Sequence, residues 1–245
     1  MDSKNKNLTT TTYWEQGYKN LPLSQTAPND PIHKLISNFF SNKHGECFEV
    51  GCYPGKHLAV FGELGFTLNG IDMYPETKDK LPQWLKSFNY STGIFLCDDF
   101  LKYQSDKQYD VVCSFGFIEH FTDWKNILQK HASLVKEGGY IVVTAPNFNN
   151  FFQRTLRHFL DKQTAETHNI SSIQPKQWES FLLKNGFEKI YQGYFGKFSF
   201  WTDPDPNRNY FQTISLKIIN KLSPIFHKIN IPIFASCCGI ILKKK

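Results

Sequence analysis

Several features that define large protein classes are missing from these 245 residues, or scarce. No apolar run approaches the ~20 residues a membrane-spanning helix needs, and the opening M-D-S-K-N-K-N is polar, unlike a secretory leader. A cytoplasmic protein is expected. None of the six cysteines (Cys47, Cys52, Cys97, Cys113, Cys237, Cys238) is in a C-x-x-C pair, which argues against zinc and redox motifs. Four lie in or beside apolar strand-like runs and read as small core residues of a reducing compartment. The acids are scattered among separate turns, so no metal site is expected. Basic residues form no stripe interleaved with aromatics, which excludes nucleic acid as an expected partner. The net charge is +6, and three of the positives, Lys243, Lys244 and Lys245, read as a solvated tail. Methionine occurs only twice against 23 phenylalanines, so aromatic rings are expected to fill the core, with a share left for an apolar pocket.

What is present is F-E-V-G-C-Y-P-G at 48–55, followed by G-I-D at 70–72. A short apolar strand entering a glycine turn, then a helix, then a strand ending in an acid, is how α/β proteins hold a nucleoside. Gly51 lets the chain turn tightly, and Gly55 is expected to let the next helix pack closely on the sheet. Asp72 ends the second strand on the same edge, where a carboxylate can accept both hydroxyls of a ribose. An ordinary strand–turn–helix without ligand is the plainer reading, and the downstream motifs weigh against it. A nicotinamide dinucleotide is disfavoured too. Glu49 would repel a pyrophosphate, and Tyr53 would block the close backbone approach that a pyrophosphate requires.

The rest of the chain alternates strands and helices. Asp30 and Pro31 open a helix over 31–40. Strands are expected near 46–50, 67–72, 94–97, 110–114 and 187–193. A glycine turn and buried strand occupy 137–146, and a last strand spans 236–242. Helices are expected at 55–64, at 75–88 with an interruption at Pro82, at 123–135 and at 175–185. This order implies a doubly wound α/β domain with a mainly parallel sheet covered on both faces. Residues 1–34 read as an N-terminal arm or lid, with Tyr13 and Tyr18 folding over a ligand; 35–245 form the domain. Two stretches, about 147–174 and 196–232, exceed what the sheet needs and read as binding loops or partner surfaces. In the second, Phe211, Ile214, Ile218 and Leu222 recur at helical spacing with Lys217 and Lys221 on the other side. Packing on the parent domain is the first expectation for this stripe. A homodimer contact, or peripheral contact of 210–228 with a membrane surface, is the alternative.

The run E-V-G-C-Y-P-G resembles the first motif of class I S-adenosylmethionine-dependent methyltransferases, commonly acid-x-Gly-x-Gly-x-Gly, with Tyr53 in place of the middle glycine. The resemblance covers roughly 35–195 and the last ten residues. It implies a Rossmann-like sheet of seven strands whose last strand is antiparallel, with S-adenosyl-L-methionine as cofactor. Residue by residue, it implies that Glu49 lies near the methionine amine, with Gly51, Cys52, Tyr53 and Gly55 forming the turn around it. Asp72, with Met73 beside it, takes the ribose hydroxyls. Asp99, or alternatively Asp98, bonds the adenine amino group, with the backbone of Phe100 on the ring. Ser114, Phe115 and Gly116 hold the amine and flank the methyl group. His120, in the Glu119-His120 pair that relatives of varied chemistry share, is a candidate general base or a structural histidine, and His168 is its rival. The implied activity is methyl transfer to a small-molecule acceptor, expected at oxygen, with sugar-like or lipid-linked molecules preferred. A nicotinamide-dependent oxidoreductase and a non-catalytic cofactor-binding module remain the alternatives.

Overall fold

Short apolar runs between glycine turns become strands here because helices cover both faces of the sheet they form. The computed structural model describes residues 7–19, 21–202, 208–227, 229 and 231–245. Parts of the expected arm and of the 196–232 stretch, including residue 228, lie outside the described residues. The seven strands among the described residues are β1 (Glu46–Val50), β2 (Thr67–Asp72), β3 (Thr92–Cys97), β4 (Tyr109–Phe115), β5 (Val135–Pro146), β6 (Phe187–Phe195) and β7 (Cys237–Lys244). They lie in the order β3-β2-β1-β4-β5-β7-β6. The first five pair in parallel, and β7 runs antiparallel between β5 and β6. Strand order reverses between β1 and β4, and a ligand crevice opens at the carboxyl ends on either side of such a reversal.

Alternating side chains feed two cores. Phe48 and Val112 face one, which includes the fully buried Trp178; Cys47 and Val111 face the other, with Phe40 and Phe61. Helices α1 (Thr11–Tyr18), α2 (Pro31–Phe40), α3 (Leu58–Glu63), α4 (Lys80–Lys86), α5 (Trp124–Ser133), α6 (Phe151–Leu160), α7 (Lys162–Thr167), α8 (Pro175–Lys184) and α9 (Tyr210–Phe226) complete the described fold. Asp30 caps α2 as expected, its Oδ1 accepting from the backbone N–H of Ile32 at 2.8 Å.

Several expectations need correction. The helix expected over 55–64 is α3, which starts only at Leu58, because the turn occupies the residues before it. The segment 75–88 divides into a single 3₁₀ turn (Pro75–Thr77) and α4. Pro82 does not interrupt it, since it falls in the first turn of α4, where a missing N–H costs nothing. Gly55 has φ +84°, and a side chain there would collide with Leu81, so this glycine admits α4 and not the sheet. The lysines read as a tail continue β7: Lys243 pairs with Tyr140, and the Lys244 ammonium donates to the Val135 carbonyl at 2.9 Å. The cysteines are free thiols, with Cys47, Cys52, Cys113 and Cys238 buried and Cys97 exposed.

The two long stretches fold against each other. Leu160 of α6, Phe198, Phe200 and Leu216 of α9 form a third apolar cluster. The stripe expected to pack faces outward instead: Phe211 is 71% exposed and Ile218 52%. The packed contact is made by Leu216, Ile219 and Phe226. Arg157 ties the stretches together. It is fully buried, pairs with Asp161 at 2.6 Å, donates to the Trp201 carbonyl at 3.1 Å and lies 3.5 Å over the Phe148 ring. Removing one partner of such a pair strands a buried charge. Arg157→Met should therefore destabilise the protein by about 3–5 kcal/mol in urea unfolding. Adding Asp161→Leu should recover all but about 1 kcal/mol, the share of the α7 cap that Asp161 also provides. A cost below about 1 kcal/mol for the single variant would mean that the pair does not hold the stretches together.

Candidate active site

The sequence around Gly51 builds a cradle because its backbone groups have nowhere else to go. Gly51, at φ +72°, and Cys52 both donate their N–H to the Ile71 carbonyl, at 2.9 and 3.2 Å, drawing the turn over the end of β2. A side chain on Gly51 would sit 2.8 Å from the Phe117 ring. Asp72 then receives two amides: Tyr53 N–H donates to Oδ2 at 3.1 Å and Tyr74 N–H to Oδ1 at 2.9 Å. Burial nevertheless pushes the Asp72 carboxyl up to about 6. Glu49 is 3% exposed, and its Oε2 has no hydrogen-bond partner. Burial, and then the charge of Asp72, push its carboxyl well above the usual range, although a backbone hydrogen bond at Leu58 opposes this.

These groups open into a cavity of about 260 Å³. The structure places Glu49, Gly51, Cys52, Tyr53, Gly55, Asp72, Met73, Asp98, Asp99, Phe100, Phe115, Gly116 and His120 on its wall. Ser114 is not among them. It is the last fully buried residue of β4, with its Oγ unpartnered. Asp98 and Asp99 both stabilise their turn, accepting from the N–H of Asp99 at 2.7 Å and of Leu101 at 2.9 Å. Neither is singled out by this geometry. The Tyr53 hydroxyl donates to Glu76 at 2.7 Å, and its ring packs 4.4 Å from Tyr74, so this side chain braces the turn.

Part of the site lay beyond sequence reasoning. Asn7, Thr9 and Trp14 roof the cavity beside the expected Tyr18, whereas Tyr13 does not line it. The roof is attached to the loop after β4: Leu8 N–H donates to the His120 carbonyl at 2.8 Å, Asn7 bridges Phe121, and Trp14 stands edge-on to the His120 ring at 5.0 Å. Lys56 and His57 were also missed. They follow the glycine turn without any pattern that marks them, and only the fold shows where they lie.

His120 is buried, and its Nδ1–H donates to the Thr167 carbonyl at 2.8 Å. His168 packs 4.6 Å from it and hydrogen-bonds the Thr164 carbonyl at 2.9 Å. With Glu119, these imidazoles place three metal-type donors within 4.8 Å of one another, where the sequence suggested no cluster. Burial holds the Glu119 carboxyl up at about 8 and the His168 imidazole down at about 3. At neutral pH the carboxyl is therefore largely protonated and His168 uncharged, so any cation would first have to displace the carboxyl proton.

A second, larger cavity of about 1150 Å³ lies over the ends of β5, β6 and β7. Phe39, Tyr191, Phe195, Phe198, Phe200 and Trp201 give it an aromatic wall. The two cavities share Lys56, His57, Phe115 and Gly116. The arrangement can hold two molecules end to end, one among carboxylates and one among rings.

Comparison with known proteins agrees with this architecture. A family model described as a methyltransferase domain matches residues 24–192. A mitochondrial ubiquinone biosynthesis O-methyltransferase of Dictyostelium discoideum is 30% identical over 180 residues, covering 66% of this chain and 54% of that protein. The ubiquinone biosynthesis O-methyltransferase of Shewanella pealeana is 25% identical over 150 residues, covering 56% and 58%. The chain thus matches a little over half the length of these relatives. A solved S-adenosylmethionine-dependent methyltransferase from Archaeoglobus fulgidus superposes with a TM-score of 0.56 at 19% identity, over 87% of this chain and 93% of that one. With motif, sheet order and family match in agreement, the nicotinamide alternative falls away, and the chain belongs to the class I S-adenosylmethionine-dependent methyltransferases.

Proposed function

We propose that this methyltransferase transfers the methyl group to a hydroxyl oxygen of a small, largely apolar molecule. One observation carries the reading: the cavity among the carboxylates meets the aromatic cavity across Phe115 and Gly116. In the proposed arrangement Asp72 takes the ribose hydroxyls, and Glu49 faces the methionine amine. Asp98 or Asp99 reaches the adenine amino group beside Phe100. The backbone at Phe115 and Gly116 flanks the methyl group, and Ser114 supports that backbone from within β4. Methyl transfer from a sulfonium is an in-line displacement, so alignment and exclusion of water are most of what the protein must supply. The roof formed by Trp14 and Tyr18 excludes water, and the aromatic wall aligns a flat or apolar body. The relatives' names support transfer to oxygen. An aromatic wall suits a lipid-linked or aromatic acceptor better than a bare sugar, and the exposed apolar residues of α9 fit peripheral contact with a membrane surface. Among the described residues, no helix is long and apolar enough to cross one.

Incubation with methyl-labelled S-adenosylmethionine and a panel of phenols, catechols and aliphatic alcohols should yield labelled ethers, most readily from apolar acceptors. Binding of S-adenosylhomocysteine without transfer to any metabolite extract would instead indicate a binding module.

Gly51→Ala tests the cradle. A left-handed alanine costs about 1–2 kcal/mol, or roughly 2–8 °C in melting temperature for a chain of this size. The displaced Phe117 ring should weaken S-adenosylhomocysteine binding at least tenfold in calorimetry.

The pH dependence of binding tests Asp72. Its carboxyl titrates near 6 in the free protein. Hydroxyl donors favour the ionised form, so bound ligand lowers that value and binding releases a proton. Affinity should therefore be flat above about pH 7 and fall as pH drops through 6, by up to about tenfold per unit. Glu49 facing a cationic amine acts in the same sense. Asp72→Asn should bind about 10–150-fold more weakly at pH 7.5, the equivalent of about 1.5–3 kcal/mol, and should lose its share of the acid limb.

A further inference from the structure

The larger cavity reaches the methyl donor through a narrow set of residues, and one of them carries a usable lone pair. His57 ends the glycine turn and precedes α3; it lines both cavities and lies 5.0 Å, ring to ring, from Phe115. Its tautomer follows from its neighbour. The buried Thr26 hydroxyl donates to the Lys56 carbonyl at 2.6 Å, which commits its only proton. The Thr26 oxygen can therefore only accept at its 3.3 Å contact with His57 Nδ1. The imidazole is protonated at Nδ1, and Nε2 is the nitrogen left with a lone pair. Burial, and secondarily the Lys56 ammonium, hold this imidazole down at about 4, so it is neutral throughout the neutral range. His120, by contrast, lines only the smaller cavity and is packed among Trp14 and His168.

We propose that His57 is the general base of the transfer, taking at Nε2 the proton of an acceptor hydroxyl that enters from the larger cavity. The proposal rests on the oxygen-methylation reading above. The hydroxyl oxygen forms a bond to the sulfonium methyl carbon, and the carbon–sulfur bond breaks. Its electron pair goes to sulfur, leaving neutral S-adenosylhomocysteine. The hydroxyl proton passes to His57, so the positive charge lost from sulfur reappears on the imidazolium nearby. The net charge of the site is thus the same before and after the step. Thr26 is a positioning residue, accepting the Nδ1–H throughout. The imidazolium then gives its proton to water, helped by the burial and the nearby ammonium that disfavour it.

The test compares acceptors that do and do not need a base. Phenol must lose its proton during attack, whereas 4-nitrophenol is already ionised at pH 8.5. His57→Gln should lose about 10²–10⁴-fold in turnover on phenol, less than tenfold on 4-nitrophenolate, and leave S-adenosylhomocysteine affinity within about twofold. Thr26→Val should show a smaller loss confined to phenol, and Thr26→Ser should restore it. Should His57→Gln fail to fold, the Thr26 pair decides alone. Equal losses on both acceptors, or full activity on phenol, would overturn the role of His57 while leaving oxygen methylation intact. Absence of transfer by the wild-type enzyme to any hydroxyl probe, with S-adenosylhomocysteine still bound, would overturn both.

Discussion

The structure turns on the burial of two carboxyls, Glu49 and Asp72, side by side at the ends of β1 and β2. Burial raises both, and the charge of Asp72 adds to the cost of ionising Glu49. Backbone amides of Tyr53 and Tyr74 satisfy Asp72, but Glu49 keeps an oxygen without a partner. In the proposed arrangement, a donor carrying an amine and a sulfonium would supply positive charge to these acids, and a ribose would supply hydroxyl donors. The same acids would oppose a phosphate-bearing cofactor. The electrostatics of the free protein thus already select the class of molecule that the family match names.

The roof over those carboxyls has a different origin from the floor. The floor is the glycine turn and two strand ends, all within 49–73, and local backbone hydrogen bonds hold it together. The roof comes from α1 and the residues before it, held by contacts to the loop after β4 through Leu8, Asn7 and Trp14. No apolar side chain of α1 is fully buried. In the proposed arrangement, a donor beneath this helix would enter or leave as those few contacts part. The weakly anchored helix therefore sits where exchange of product for fresh cofactor requires movement.

This difference also explains what could be read without coordinates. The turn, the four strands that carry it and the acid ending β2 were legible, because each depends on local rules: apolar runs, glycine at positive φ, an acid at a strand end. The N-cap of α2, Asp30 before Pro31, was legible for the same reason. The burial of the Ser114 side chain was not legible, because a one-residue register decides whether a strand side chain meets the core or the crevice. The outward stripe of α9 was misjudged because periodicity reveals that a helix has an apolar face, not which partner covers it. Trp14 and His57 were not legible as site residues, and His120 and His168, each a candidate on its own, were not legible as a group with Glu119. Their meaning arises from contacts across tens of residues, such as Thr26 to His57 or His120 to Thr167, which no local pattern encodes.

Under the proposed assignment of the two cavities, donor and acceptor chemistry are separated in the chain as they are in space. The donor cavity is lined by the arm and by the ends of β1 to β4; the aromatic wall of the acceptor cavity comes largely from β6 and the residues after it. Among the described residues only Lys56, His57, Phe115 and Gly116 belong to both. A change in the later stretch can therefore reshape the acceptor space without disturbing how the donor is held. That freedom has a limit in Arg157. Its guanidinium fixes Trp201 through the backbone carbonyl and lies against Phe148 and Phe200, while its charge depends on Asp161. One buried ion pair thus sets the position of several aromatic walls at once. Acceptor choice can drift by exchange of individual rings, but not by loss of the charge that holds them in register.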